Sequence, residues 1–537
     1  MHHTRVIFFL VSGLLLASVG VAASFWAPLA GLYVLVLPVL ALGGYDAMQT
    51  THAIRRNFPL LGRLRYFFEA IRPEIQQYFV ERDLDGRPLN RQQRSVIYQR
   101  SKKVLDTIPF GTQADVYAVG YEWINHSMVP RPKQKTQPRI RIGGPDCTQP
   151  YDAAVFNISA MSFGSLSQNA QLALNKGAAA GGFFHNTGEG GVSPYHLEPG
   201  GDLCWQIGTG YFGCRNPDGS FSEELYAENA QRPSVKLIEV KLSQGAKPGK
   251  GGILPAAKIT PEIAAIRNVE LGQDVISPAF HRTFDTPMGL LQWIERLREL
   301  SGGKPVGFKL CVGKRREFIA ICKAMIASGI KPDFITVDGG EGGTGAAPVE
   351  FSNTVGSPLM EGLIFVHNSL VGFGVRQEIK VIATGKVLTG FDIAKRIALG
   401  ADLCNAARSF MLSIGCIQAL KCNNNECPTG VATQNPTLVN GLVVEDKYPR
   451  VANYQHETVK ALMELLAASG LEHPDQLRPW HIHRRVSAFE VKHYGELFEY
   501  LESGDLLEEP LPRSFARATR AAQAASFGHA APDQPSP

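Results

Sequence analysis

The sequence predicts an α/β chain: a closed (β/α)8 barrel with an N-terminal helical membrane hairpin and C-terminal helices. Three observations predict it. From about Tyr151, short apolar runs alternate with glycine-rich loops and amphipathic segments, the pattern of βαβ units around a parallel sheet. About eight such runs fall within roughly 260 residues, the proportions of a TIM barrel. Ahead of them lie two apolar stretches, Val6–Ser24 and Phe25–Gly44, with no charged residue between Arg5 and Asp46.

The apolar pair comes first in the chain. Each stretch is about 20 residues, enough to cross a bilayer as a helix. Arg5 precedes the pair and Arg55, Arg56, Arg63 and Arg65 follow it, so both ends of the hairpin are expected on the cytoplasmic side. Two other readings compete: a signal peptide with a small-residue site near Val21-Ala22-Ala23, and a buried helical hairpin. The thiol-rich body that follows disfavours export. The expectation is therefore an inner (cytoplasmic) membrane anchor, 1–50, with the catalytic domain facing the cytoplasm.

Residues 51–150 are expected to form a basic, aromatic-interleaved helical lead-in, broken around Leu84–Pro88. Its arginines suit anionic lipid heads or a solvated helix face. Candidate barrel strands within 151–436 are Ala154–Ser159, Phe183–Asn186, Leu237–Leu242, Val275–Ser277, Val306–Val312, Phe334–Val337, Val381–Thr384 and Leu403–Ala406. Helices are expected over 437–512. The small, polar, Pro-ended stretch 513–537 reads as a disordered tail.

Composition excludes some classes. A net charge of +5 over 537 residues, with scattered Lys and Arg, makes no case for nucleic acid. Nine cysteines, three of them clustered, argue for a reducing compartment and against a secreted disulfide framework.

That cluster carries the most chemistry. Cys416, Cys422 and Cys427 stand with five and four residues between them, in GCIQALKCNNNECPTG. Short Cys runs of this kind, closed by Pro, hold iron–sulfur clusters. Buried cysteines often serve as small hydrophobes instead, which suits Cys311, Cys322 and Cys404 in their apolar runs. It does not suit a trio separated by Asn423, Asn424, Asn425 and Glu426. Zinc would need a fourth ligand, and no His or Cys lies close by. A cluster taking three thiolates fits better.

Glycine-rich loops follow the predicted strands. They are Ile158–Ser165, Asn186–Gly191, Lys241–Gly252 and Asp338–Gly345; Thr384-Gly385-Lys386 and Ala406-Ala407-Arg408 close the last two strands. Glycine lets backbone N–H groups come close to a ligand. None is a Walker A loop, and no G-x-G-x-x-G unit for a nicotinamide cofactor is evident.

The segments ISAMSFGS, NTGEGG, KLSQGAKPGKGG, DGGEGGTGA and GCIQALKC-NNNECPTGVATQ, in this order over roughly residues 105–465, resemble the synthase domain of glutamate synthase, closest to the FMN-binding glutamate synthase family proteins. The resemblance implies FMN in the barrel mouth beside a 3Fe–4S cluster held by the three cysteines. Reduced flavin would give hydride to the imine of 2-oxoglutarate and ammonia, with electrons from a ferredoxin-like or other partner. It also implies roles. Lys241, Glu189 and Arg267 become catalytic: a lysine at flavin and substrate, a carboxylate for ammonia or a proton, and an arginine gripping a substrate carboxylate. Cofactor contacts fall on Ser159, Ala160, Met161, Ser162, Lys309, Asp338, Gly339 and Gly340. Gly385, Ala407 and Arg408 would hold the phosphate.

Departures from the family qualify this. Lys250 and Ile253 replace a Glu and a Gln, the latter a 2-oxoglutarate contact, and Pro278-Ala-Phe-His-Arg-Thr replaces Pro-Pro-His-His-Asp. Lost hydrogen-bonding groups shift substrate preference. The chain begins MHHTRV, without the nucleophilic Cys of an amidotransferase domain, so free ammonia or a separate amidotransferase subunit is expected. A rival expectation is an amino- or hydroxy-acid dehydrogenase passing electrons outward to a membrane acceptor. A third is a non-catalytic electron-transfer subunit.

Overall fold

The computed structural model describes residues 3–528, and the chain divides into two compact units after Gln92. In the first, the helices Thr4–Phe25 and Ala27–Met48 are long and apolar enough to cross a membrane. Tyr33 Oη donates to the Leu16 carbonyl at 2.9 Å, fastening one to the other. Shorter helices follow at Ala53–Asn57 and Leu61–Ile75.

The second unit is built on a closed barrel of eight parallel strands. They are β1 (Phe156–Ile158), β2 (His185–Asn186), β3 (Leu203–Ile207), β4 (Val235–Lys241), β5 (Val306–Leu310), β6 (Phe334–Asp338), β7 (Lys380–Thr384) and β8 (Leu403–Ala406). Each pairs with its neighbours in order, and β8 closes on β1. The strands are buried on both faces, so they read as continuous apolar runs without alternation.

Seven of the eight expected strands lie in the barrel; one does not. Val275–Ile276 pairs antiparallel with Ile253–Leu254, forming a small ribbon within the long connection after β4. The strand in its place is β3, LCWQI, fully buried between Gly200-Gly201 and Gly208. Its crossover from β2 is only the one-turn helix Pro194–Leu197, so no long amphipathic segment marks it in sequence.

The flanks differ from expectation as well. The helical lead-in ends at Lys102, because Pro109, Pro130, Pro132 and Pro138 deny the next stretch a helix. Instead Glu122–Ile124 joins a three-stranded sheet with Ile482–Arg485 and Val491–His493, which also interrupts the expected C-terminal helices. The helix Val444–Ala468 lies against Gln168–Gly181, at a crossing where a Cβ on Gly177 would stand 2.5 Å from that of Val451. In the expected disordered tail, Arg513–Ala521 is a helix; the remainder from 529 lies outside the described residues. Phe515 stacks on Phe365 at 5.5 Å, and Lys323 Nζ donates to the carbonyls of Thr519 and Ala522. Alternation of small and polar residues hid that single apolar anchor.

The bottom of the barrel is closed by the hairpin Arg139–Ile142/Tyr151–Ala154 over Phe184, Leu237, Phe334 and Leu403. Asp333, at the head of β6, organises this end: it accepts from Arg298 Nε at 3.0 Å, Val306 N at 2.8 Å and Gly144 N at 2.7 Å. Both members of the ion pair are buried. Removing one leaves an uncompensated charge. Asp333→Ala should therefore lower stability by about 4 kcal/mol, read as a fall in thermal midpoint with the mouth of the barrel untouched.

Candidate active site at the barrel mouth

The C-terminal ends of the strands deliver every residue singled out above except Arg267 and the cysteines. Asp338 ends β6 and ties three elements together. It lies 3.1 Å from Lys309 Nζ on β5 and accepts from the Gly245 amide, in the loop after β4, at 3.1 Å. Burial opposes the Lys309 charge, yet Asp338 and Glu239 outweigh it and hold its pKa above the usual lysine range. Gly245 passes so near the β6 loop that a Cβ there would sit 1.7 Å from the Gly339 carbonyl. Gln244 spans the same gap, accepting from Lys241 Nζ at 3.1 Å and donating to the Gly343 carbonyl at 3.0 Å.

A second cluster centres on Glu189. Its carboxylate lies 2.8 Å from Lys241 Nζ. Burial works against the Glu189 charge, but Lys241, Lys247 and Arg267 prevail and hold it below the usual carboxylate range. Lys247 is buried, donates to the Ala346 carbonyl at 3.1 Å and has a lowered pKa because of that burial. Arg267 is no surface helix residue. It ends the helix Pro261–Arg267, is 4% exposed, and donates to Phe163 O at 2.9 Å and Ser162 Oγ at 3.4 Å. Its guanidinium stands over the Phe212 ring at 5.0 Å. Burial pulls its pKa down to about 10, and its Nε has no hydrogen-bond partner.

The remaining positions complete the rim. Ser159 Oγ lies 3.1 Å from Thr384 Oγ1, and Met161 is buried beside Asn186 with its carbonyl held by Gln171. Gly340 donates to Ser357 O at 2.8 Å. Arg408 reaches the β6 loop, donating to Glu341 O at 2.6 Å. Four neighbouring strands, β6, β7, β8 and β1, are each followed by a small residue: Gly339, Gly385, Ala407 and Ser159, with Ala160 next. Lys241 and Lys309 stand on the adjacent strands β4 and β5, so the mouth has an open side and a cationic side. Room on one side with cations opposite suits a flat, anionic cofactor.

The cysteine loop packs on this rim. Gln434 Nε2 donates to Gly164 O and Leu166 O in the β1 loop, and Cys422 lies against Gly345 of the β6 loop. Tyr98 Oη donates to Cys416 O at 2.7 Å. Burial pushes the Cys416 thiol up to about 12 and raises Cys422. Cys427 goes the other way: burial is outweighed by hydrogen bonds from Thr429 and the amides of Val431 and Ala432. Among the described residues, no three His, Cys, Asp or Glu side chains converge to hold a single ion.

Sequence reasoning missed three residues here. Lys258 is 3% exposed and donates to Cys422 O at 2.7 Å, Ala432 O at 2.9 Å and Ser165 O at 3.3 Å. A Lys six residues past a glycine run gives no signal of this. His281 is the retained member of the altered segment; its Nε2 lies 2.9 Å from Lys241 O and its Nδ1 3.3 Å from Tyr211 Oη. Burial brings its pKa down to about 4, so it is neutral, with Nε2–H donating. Glu239 sits deeper, accepting from Asn186, Gln206 and Thr336.

A model of the conserved region in glutamate synthase matches residues 144–472. The glutamate synthase large subunit-like protein YerD of Bacillus subtilis is 39% identical over 478 residues, 81% of this chain and 90% of that one. The archaeal glutamate synthase (NADPH) of Methanocaldococcus jannaschii is 36% identical over 348 residues, 64% of this chain. Of that relative the chain spans 63%. The archaeal-type glutamate synthase (NADPH) of Thermotoga neapolitana is 34% identical over 321 residues, 60% of each chain.

The Glu189 cluster makes a pH-dependent prediction. A carboxyl held below its unfolded pKa adds stability above that value and loses it as pH falls through the folded one. Glu189→Gln should cost about 2 kcal/mol at pH 7, where three cations lose their anion. In urea unfolding, the difference from the parent should shrink as pH drops below the ordinary glutamate value of 4.5.

Proposed function

The chain belongs to the glutamate synthase family and is an oxidoreductase of that type, and on that premise we propose that it aminates 2-oxoglutarate or a related 2-oxo acid reductively. The observation that carries this is charge. Lys241, Lys247 and Arg267 surround one carboxylate, Glu189, at the barrel mouth, leaving an excess of two positive charges by formal count. A dicarboxylate 2-oxo acid would balance it.

The oxo acid and ammonia form an imine with loss of water, and two electrons with two protons, the electron pair and one proton delivered as hydride and the other proton added at nitrogen, complete the amino acid. FMN, when bound, supplies the electron pair as hydride and can be replenished one electron at a time. This chain's residues do the rest. Arg267 offers a planar fork to a substrate carboxylate. Glu189, hydrogen-bonded to Lys241, can hold ammonium or exchange a proton with the forming amine. Lys309 would stand by the flavin ring, where negative charge builds on reduction. Ser159, Ala160, Met161, Ser162, Asp338, Gly339 and Gly340 would line the cofactor, and Gly385, Ala407 and Arg408 its phosphate.

Cys416, Cys422 and Cys427 would hold a 3Fe–4S cluster, fed by a ferredoxin-like or other partner; ammonia would come free or from an amidotransferase subunit. The donor set supports it: three thiols on one loop, amides around Cys427, and the Lys258 cation beside Cys422. Ile253 and Lys250 leave the oxo acid's side chain open.

The two apolar N-terminal helices support a membrane location, with the barrel on the cytoplasmic side. They also favour a second reading, oxidation of an amino or hydroxy acid with electrons leaving through the cluster to a membrane acceptor.

The readings separate on the chemically reduced holoenzyme. Adding 2-oxoglutarate and ammonia should restore the oxidised flavin spectrum and produce glutamate. A flavin that stays reduced with every 2-oxo acid, while the oxidised holoenzyme is bleached by an amino or hydroxy acid, would establish the oxidative direction instead. Cys422→Ser should abolish bound iron while leaving flavin content unchanged; iron retained at the parent level would sink the cluster assignment.

A further inference from the structure

We propose that the helix Leu61–Ile75, continued by the turn Gln76–Val80, lies in the headgroup interface of an anionic bilayer. This rests on the reading that the two preceding helices cross the membrane.

The sequence spacing is that of a surface-bound amphipathic helix. Leu61, Leu64, Phe68, Ile71 and Ile75 recur every three, four or seven residues and share one face. That face is uncovered: Leu64 is 51% exposed and Phe68 56%, while Phe79 beyond the helix is 84% exposed. Contiguous exposed aromatic and aliphatic side chains mark an interaction surface. Arg65 and Arg72 flank the stripe on one edge, and between residues 53 and 75 five arginines oppose two glutamates.

What picks a bilayer as occupant is how the helix is fastened. Asp46, fully buried in the last turn of the second apolar helix, accepts from Arg63 Nε and Nη2, each at 2.8 Å, and from the Leu60 amide at 3.2 Å. A two-pronged Arg–carboxylate pair fixes direction as well as distance. The first turn of the amphipathic helix is thereby pinned to the end of a membrane-length helix. Arg5 Nη2 donates to Ala47 O at 2.9 Å, so the start of the first apolar helix stands at the same level. Leu60 and Phe8 both close on Gly43 of the second helix. The apolar face therefore begins where hydrocarbon gives way to headgroups, at the depth such helices occupy. Arg63 is committed to Asp46 and Arg55 stands over the Tyr66 ring at 4.3 Å. Arg65, whose exposed pair with Glu69 is long at 3.7 Å, joins Arg56 and Arg72 as cations for anionic lipid.

The test uses the full chain in vesicles of phosphatidylcholine with phosphatidylglycerol. A photoreactive benzophenone side chain replaces Phe68 or Phe79, Glu69 or Gln77 as polar-face controls, and Leu14 as a probe of the first apolar helix. Lipid adducts should form at Phe68, Phe79 and Leu14 and fall severalfold at Glu69 and Gln77. Arg65→Gln with Arg72→Gln should lower the Phe68 adduct in these vesicles and not in pure phosphatidylcholine. Lipid adducts at Leu14 with only protein adducts at Phe68 would overturn the proposal and leave the spanning helices standing. Absence of lipid adducts at Leu14 as well would overturn both.

Discussion

The Asp338 carboxylate is the constraint on which the barrel mouth depends. One side chain takes the Lys309 ammonium from β5 and the Gly245 amide from the β4 loop, while its own strand continues into the DGGEGG loop. Each contact is charge-assisted and sheltered from water, where such bonds are strongest. The backbone contact between Gly245 and Gly339 depends on it, because a chain brought within 1.7 Å of a Cβ position tolerates no side chain. Through Gln244 and Gly343 the same link reaches Lys241. Moving Asp338 would disturb both Lys309 and Lys241.

From that hub the mouth divides by chemistry. Strands β6, β7, β8 and β1 are each followed by a residue no larger than serine, and β4 and β5 contribute lysines. The Glu189 cluster then sets a limit on what may enter. Three buried or half-buried cations around one carboxylate repel one another, so the cluster favours an added anionic group over a cationic one. His281 can take no part in that balance. Held neutral by burial, it spends Nε2–H on the Lys241 carbonyl and so orients the lysine's backbone.

Most of the barrel was legible because strands buried on both faces leave largely apolar runs, most of them followed by glycine or a small residue. Legibility failed where local pattern and tertiary use part. LCWQI lacks a long crossover helix before it, and Val275–Ile276 is apolar for a surface ribbon rather than for the core. Among site residues, motif glycines, Lys241, Lys309 and the cysteines announce themselves by position at strand ends or by spacing. Arg267 does not: in PEIAAIRNVE it is one polar residue in a helix, and only the fold turns it inward onto Ser162 and Phe163. Lys258 and Glu239 are the same case, since nothing local distinguishes a buried charge from a solvated one.

Lys258 presses the argument one step further. A buried ammonium is costly unless a counter-charge is near, and no carboxylate among the described residues lies within ion-pair distance of it. Three carbonyl dipoles satisfy its protons but not its charge. The groups that could are the thiols of Cys422 and Cys427, the two that act on it electrostatically. As thiols they are neutral; bound to iron they are thiolates, because coordination strips the proton. On the proposed cluster assignment, the thiolates of Cys422 and Cys427 would supply the negative charge that Lys258 otherwise lacks.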